Sequence, residues 1–148
     1  MEINKIRVKF VRKSSRIPTY KSEAAAGADI YADIDNNLII PPHSTAVIPS
    51  GFCLEIPVGY VGLIFARSGL STKCGLAPAN KVGVIDSDYR GEVCVPLHNH
   101  SGEPTEITPG ERIAQLVIVP VLTPAFEAAD CLSDTKRGAG GFGSTGMD

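Results

Sequence analysis

Apolar and polar residues alternate along short stretches of this chain, and each stretch ends at turn residues. In KIRVKFV, Ile6, Val8 and Phe10 alternate with Arg7 and Lys9, the period of two expected of a strand with one face inward. Similar runs follow in ADIYA, LII, STAVI, GFCLEI, YVGLIFA, GVID, EVCVPLHN and RIAQLVIVPVL. They are bounded by Gly, Pro, Asn and Asp, as in PPHS, IPSG, IPVG, HSGEP and TPGE. The 11 prolines at this spacing argue against long helices, because proline removes a backbone donor and clashes with the preceding turn. Only SGLSTK predicts a helix, and a short one. The pattern therefore predicts an all-β domain, a jelly-roll-like sandwich or barrel of antiparallel strands with one short helix. Residues 113 to 122 depart from alternation and are apolar almost throughout. That run predicts a strand covered on both faces, either by the chain's own core or by another subunit.

Composition narrows the function classes. A chain of 148 residues suits one domain with a substantial core. The net charge of −2 gives no broad attraction to nucleic acid or to an anionic membrane, so an anionic ligand must be held by a few placed cations. Cys53, Cys74, Cys94 and Cys131 are scattered without a CxxC pair, which argues against a zinc site or a disulfide framework. Cys53 and Cys94 sit among apolar neighbours and are read as small core residues. MEINKIRVKF lacks the apolar run of a signal peptide, and no stretch approaches the length of a membrane span. The expected location is the cytoplasm.

Polar residues gather at four turns and in the tail. In AAAGADIYA, Gly27 allows a tight turn and Asp29 follows it, either as a turn residue or as a ligand-facing carboxylate. In FARSGLSTKCG, Arg67 and Ser68 open the short helix at a strand end, which suits a phosphate or simply caps the helix. In APANKVGVIDSDYRGEV, the GVID strand runs into a turn and is read as one arm of a hairpin. The mouth of such a hairpin offers backbone groups to a flat heterocycle, with Asn80 adding an amide. Asp86 ends an apolar run, so partial desolvation would make it a candidate general base, and Tyr89 offers a ring as a wall. In PGERIAQL, Gln115 lies inside an apolar strand and needs a partner, a backbone group or a ligand. The tail RGAGGFGSTGMD places Phe142 among five glycines.

The segments AGADIYA, ARSGLS, ANKVGVIDSDYRG, GERIAQL and RGAGGFGSTG resemble, in sequence and order, the five motifs of the trimeric deoxyuridine triphosphatases. The resemblance spans residues 5 to 148. It implies a jelly roll over residues 1–133, a C-terminal arm over 134–148 that closes on the nucleotide, and a homotrimer with shared active sites. It also implies Mg²⁺-dependent hydrolysis of dUTP to dUMP and pyrophosphate, which limits uracil in DNA and supplies dUMP for dTMP synthesis. By position, Asp86 would activate the water that attacks the α-phosphorus. Tyr89 would lie under the deoxyribose and exclude a 2′-hydroxyl, while Asn80 and the backbone at Gly83 would read the uracil edge. Arg67, Ser68, Gly69 and Gln115 would hold phosphates, and Asp29 would face the metal through water. From the arm, Phe142 would cover the uracil, flanked by Gly141 and Gly143, with Arg137, Ser144 and Thr145 on the terminal phosphates.

The chemistry is consistent with these roles. A triphosphate carries several negative charges, and a Mg²⁺ held mainly by phosphate oxygens and water needs few protein ligands. Catalysis would rest on positioning and electrostatics. Ala66 stands where many family members have proline, and Ile30 where leucine is commoner; neither carries a proposed role. The dCTP deaminases share the fold but use a glutamate where this chain has Pro96, which argues against deamination. A non-catalytic binding protein on the same scaffold is disfavoured by the presence of Asp86 and the arm. His43, His98 and His100 lie outside the motifs and are read as turn or surface residues.

Overall fold

The structure, a computed structural model, describes residues 5–143. Its strands are β1 (Arg7–Phe10), β2 (Ala28–Tyr31), β3 (Leu38–Ile40), β4 (Thr45–Glu55), β5 (Tyr60–Phe65), β6 (Leu76–Pro78), β7 (Gly83–Ile85), β8 (Glu92–Asn99), β9 (Thr105–Ile107) and β10 (Arg112–Pro120). One helix, α1 (Ser68–Cys74), lies between β5 and β6. The strands form two four-stranded antiparallel sheets, ordered β1-β4-β8-β6 and β2-β10-β5-β7, with β3 and β9 as a separate pair. This is the all-β, jelly-roll type of sandwich, with no closed barrel.

Strand β8 shows why the sequence folds this way. Val93, Val95, Leu97 and Asn99 point inward and are buried, whereas Glu92, Cys94, Pro96 and His98 point outward and are half-buried. The inward row joins Ile30, Ile48, Phe52, Leu76, Ile107 and Ile113 in one core between the sheets. Each such side chain contributes about 1.5–3 kcal/mol by leaving water. The one polar member of the row, Asn99, is satisfied: its amide donates to the carbonyls of Ile40 at 3.0 Å and Glu103 at 2.7 Å.

Helix α1 matches the SGLSTK expectation. Leu70 anchors it in the core, and it stops at Gly75, whose φ of 68° lets its N–H reach back to the Leu70 carbonyl. Other expectations need correction. The IPSG stretch is no turn, since STAVI and GFCLEI form the single strand β4. The register shifts between Pro49 and Cys53, and Gly51 sits at this bulge with φ 76°. Strands β6 and β9 span three residues each, too short to show a period.

The apolar run of β10 is only half covered. Ile113, Ala114 and Leu116 are buried in the core, with a register shift between Arg112 and Ala114. On the outer face, Val117 pairs with Leu63 of β5, which in turn pairs with Val84 of the edge strand β7. Val117 and Leu63 are half-exposed and Val84 is exposed, so this apolar row lacks full cover among the described residues. Beyond Pro120, residues 121–143 form no strand or helix, and Leu122, Phe126, Leu132 and Phe142 lie almost wholly in solvent. No helix among the described residues is long and apolar enough to cross a membrane.

Candidate active site

Two groups of the expected residues form, in different places. The first surrounds Asp29 on β2, which is only 7% exposed. Arg67, just past β5, donates through Nε to Asp29 Oδ1 at 3.0 Å, and Arg112 of β10 donates through Nη1 to Oδ2 at 3.2 Å. One carboxylate between two guanidiniums leaves a positive charge uncompensated, in a place fit for phosphate oxygens. Gln115 lies opposite Asp29 in the β2–β10 register and donates to the Ala66 carbonyl at 2.8 Å. Its partner in the chain is thus a backbone group, and this contact holds the turn that carries Arg67. Gly27 permits the packing: a Cβ there would overlap Gln115 Oε1 and lie 3.1 Å from its Cδ. Its φ is not left-handed, so close approach rather than a special turn requires the glycine. Ser68 and Gly69 are exposed at the start of α1, and nothing lies within 4 Å of where a Gly69 side chain would begin.

The second group lines a cavity of about 280 Å³ between the sheets, walled by Asn80, Gly83, Asp86, Tyr89, Glu92, Cys94 and Pro96 among others. Here the hairpin expectation fails. β7 pairs with β5 and β8 with β4 and β6, so the segment after Asp86 crosses from one sheet to the other. The open space between the two strands is the cavity, and β7, an edge strand, presents an unpaired backbone side for a heterocycle. Gly83 keeps that backbone close to Asn80, since a Cβ there would meet Ile64 at 3.2 Å and Asn80 Nδ2 at 3.4 Å.

Asp86 is exposed at the rim rather than partly desolvated. The expected desolvation is absent in the chain alone, because the crossing segment carries Asp86 outward after Ile85. The Tyr89 N–H donates to the Asp86 carbonyl at 3.1 Å, and the Tyr89 hydroxyl donates to the Glu92 carbonyl at 2.9 Å. Cys94 is no core residue, and Cys53 is likewise only half-buried. Burial still pushes the Cys94 thiol up, with Glu92 and Cys53 adding to the effect, so it stays a neutral wall of the cavity. Pro96 also lines this wall and brings no ionisable group.

No hydrogen bond or ion pair among the described residues joins the two groups. Ile85 pairs with Gly62 near the start of β5, whereas Arg67 follows its end. At about 3.3 Å per residue, that puts Asp86 on the order of 15–20 Å from Arg67. The described arm residues reach neither group. Arg137 bonds through Nε to the Gly140 carbonyl at 2.8 Å, Gly141 and Gly143 have open space around them, and Phe142 is solvent-exposed. Ser144 and Thr145 lie outside the described residues.

Sequence reasoning passed over Arg112, Glu92, Gly91 and Gly51. Arg112 stands at the first position of an apolar strand, where a charge that binds and a charge that merely solubilises look alike.

Comparison with known proteins identifies the family. A family model described as dUTPase matches residues 13–146. The deoxyuridine 5'-triphosphate nucleotidohydrolase of Desulfitobacterium hafniense is 49% identical over 146 residues, covering 97% of each chain. Among solved structures, a mutant dUTPase of Staphylococcus bacteriophage 80alpha with dUpNHpp superposes with a TM-score of 0.87 at 32% identity, covering 98% of this chain and 100% of that one. A mutant dUTPase of S. aureus phage phi11, described with a structural Mg(II) ion, gives 0.76 at 29% identity, over 86% of this chain and 97% of that one. With these matches spanning both residue groups, the chain belongs to the dUTPase family, the dUTP diphosphatases.

Proposed function

We propose that this chain hydrolyses dUTP by attack of a water on the α-phosphorus, giving dUMP and pyrophosphate, in sites shared between the copies of a homotrimer. The observation that carries the reading is Asp86 at the rim of a cavity walled by Asn80, Gly83 and Tyr89. The uracil edge meets the free backbone of β7 and the Asn80 amide, the sugar lies on Tyr89, and Asp86 takes the proton of the attacking water. Cytosine leaves fixed donors and acceptors of such a wall unpaired, which discriminates better than shape, whereas thymine keeps the hydrogen-bonding edge of uracil and is refused where its methyl group clashes. The reaction keeps uracil out of DNA and supplies dUMP for dTMP synthesis in the cytoplasm.

Sharing between copies is supported by the separation of Asp86 from Arg67. A phosphate chain whose α-phosphorus lies at Asp86 cannot also rest on an Arg67 some 15–20 Å away in the same chain. Arg67, Ser68, Gly69 and Gln115 then serve a neighbour's nucleotide, and the half-exposed Val117–Leu63–Val84 row supplies a face on which copies meet. The arm closes over the assembled site, with Phe142 on the uracil and Arg137, Ser144 and Thr145 on the terminal phosphates. Gly141 and Gly143 let the backbone pass close to them.

The residues fit a Mg²⁺ held mainly by the triphosphate. Among the described residues no group of three His, Cys, Asp or Glu is placed to hold a metal. Each Asp29 oxygen accepts one guanidinium N–H and keeps a lone pair for a metal-bound water. When bound, Mg²⁺ supplies charge neutralisation on the phosphates.

The test is a product assay with Mg²⁺ over dUTP, dCTP, dTTP and UTP. Release of dUMP and pyrophosphate from dUTP alone is the expected result; deamination of dCTP, or no reaction with dUTP, would overturn the reading. A second measurement addresses sharing. Arg67→Ala and Asp86→Asn chains, each nearly inactive alone, should regain activity when unfolded and refolded together. Random assembly makes about a quarter of the sites intact. No recovery in a mixture that forms mixed assemblies would place both groups in one chain's site.

A further inference from the structure

The link between β7 and β8 is cross-braced by hydrogen bonds within itself and joined to β8 through the Tyr89 hydroxyl. The Tyr89 N–H closes the turn on the Asp86 carbonyl, and Arg90 Nη1 donates to the carbonyls of Ser87 at 2.7 Å and Tyr89 at 3.0 Å. The Tyr89 ring is 46% exposed, and a ring so exposed would ordinarily sample several rotamers. Two features prevent this. Its hydroxyl donates to the Glu92 carbonyl at 2.9 Å, and the ring folds over Gly91, where a Cβ would lie 2.6 Å from Tyr89 Cζ. Gly91 does not adopt a left-handed φ. The glycine is therefore required by the ring and not by the backbone. Glu92 is itself fixed, since its Oε1 accepts the Gly51 N–H at 2.8 Å from the bulge of β4. The ring is thus referenced through Glu92 to the long central strand of the opposite sheet.

We propose that Gly91 and Glu92 are positioning residues that hold the Tyr89 ring against the nucleotide sugar, and so determine how strongly a ribonucleotide is refused. The proposal rests on Tyr89 being the sugar wall. Refusing a single hydroxyl demands a wall that does not yield, because one oxygen is small beside the travel of an untethered ring. A ring held only by its backbone would give way to UTP; a ring tethered at its hydroxyl and seated on a bare glycine does not.

The test is kcat/KM for dUTP and for UTP in the wild type and in Tyr89→Ala, Tyr89→Phe, Gly91→Ala, Glu92→Ala and Glu92→Gln, with melting temperatures alongside. Gly91→Ala and Tyr89→Phe should lower the dUTP-to-UTP ratio on the order of tenfold. Glu92→Ala should lower it several-fold, and Glu92→Gln should restore it, since the amide oxygen still accepts from Gly51. A purely structural role would lower both substrates together and leave the ratio unchanged. If Tyr89→Ala lowers the ratio while Gly91→Ala, Tyr89→Phe and Glu92→Ala do not, the positioning proposal is overturned and the sugar wall stands. If Tyr89→Ala leaves the ratio intact, the sugar wall itself falls, and the proposal with it. Should Gly91→Ala fail to fold, Tyr89→Phe and the Glu92 pair decide the question.

Discussion

Asp86→Asn is expected to lower kcat by about 10²–10⁴-fold, the usual contribution of a general base, while dUTP binds with nearly wild-type affinity. Asparagine has the same shape and can still hold a water, but it cannot accept that water's proton. Binding should survive because Asp86 is exposed at the rim, and among the described residues no hydrogen bond or ion pair of its side chain holds the cavity in shape. Single-turnover hydrolysis and titration with a non-hydrolysable dUTP analogue separate the two effects. Normal turnover in this variant would remove Asp86 from the chemistry. Lost binding with an unchanged single-turnover rate would make it a substrate ligand instead.

Gly51→Ala is expected to be the most destabilising single methyl addition near the site. Gly51 has φ 76°, and a Cβ there would overlap Asp33 Oδ2 and Ser15 Oγ and lie 2.7 Å from Asp33 Cγ. Asp33 is buried and accepts hydrogen bonds from Ser14 at 3.0 Å and Ser15 at 3.1 Å, with Arg12 Nε 3.4 Å away. Displacing it leaves a buried charge poorly paired, so the expected loss is about 2–4 kcal/mol. For a chain of this size that means a melting temperature lower by roughly 5–15 °C. Gly59→Ala is the control. Its φ is 87°, but nothing lies within 4 Å of the new methyl, so only the cost of the left-handed backbone remains, about 1 kcal/mol. Equal shifts in the two variants would show that the Asp33 contact contributes nothing.

Much of the sandwich was legible in the alternation itself. β8 reads inward and outward without a fault, and α1 was marked by a polar SGLSTK stretch closed by glycine. What escaped was set by tertiary contacts. Pro49 and Gly51 carry the local marks of a turn, yet pairing with β8 on both sides keeps β4 continuous. The GVID–DYRG stretch carries the marks of a hairpin, because a turn between two strands looks the same whether they pair or part. The residues of the candidate site were found through motif order, and their roles stay with the experiments above. The Asp29 cluster shows the limit of local reading: Arg67 and Arg112 lie 38 and 83 positions from their shared carboxylate, and no local pattern joins them.

The order β2-β10-β5-β7 also governs how this chain can be made. β10 is the last strand among the described residues, yet it lies between β2 and β5 and bonds to both. During synthesis those two strands wait for most of the chain before their common neighbour exists, so the second sheet closes late and through long-range contacts. A product cut short before Arg112 lacks that strand, the second guanidinium on Asp29 and the amide that steadies the Arg67 turn. Premature termination therefore yields no partly competent enzyme, only a chain with two unmated strand edges and every reason to be degraded.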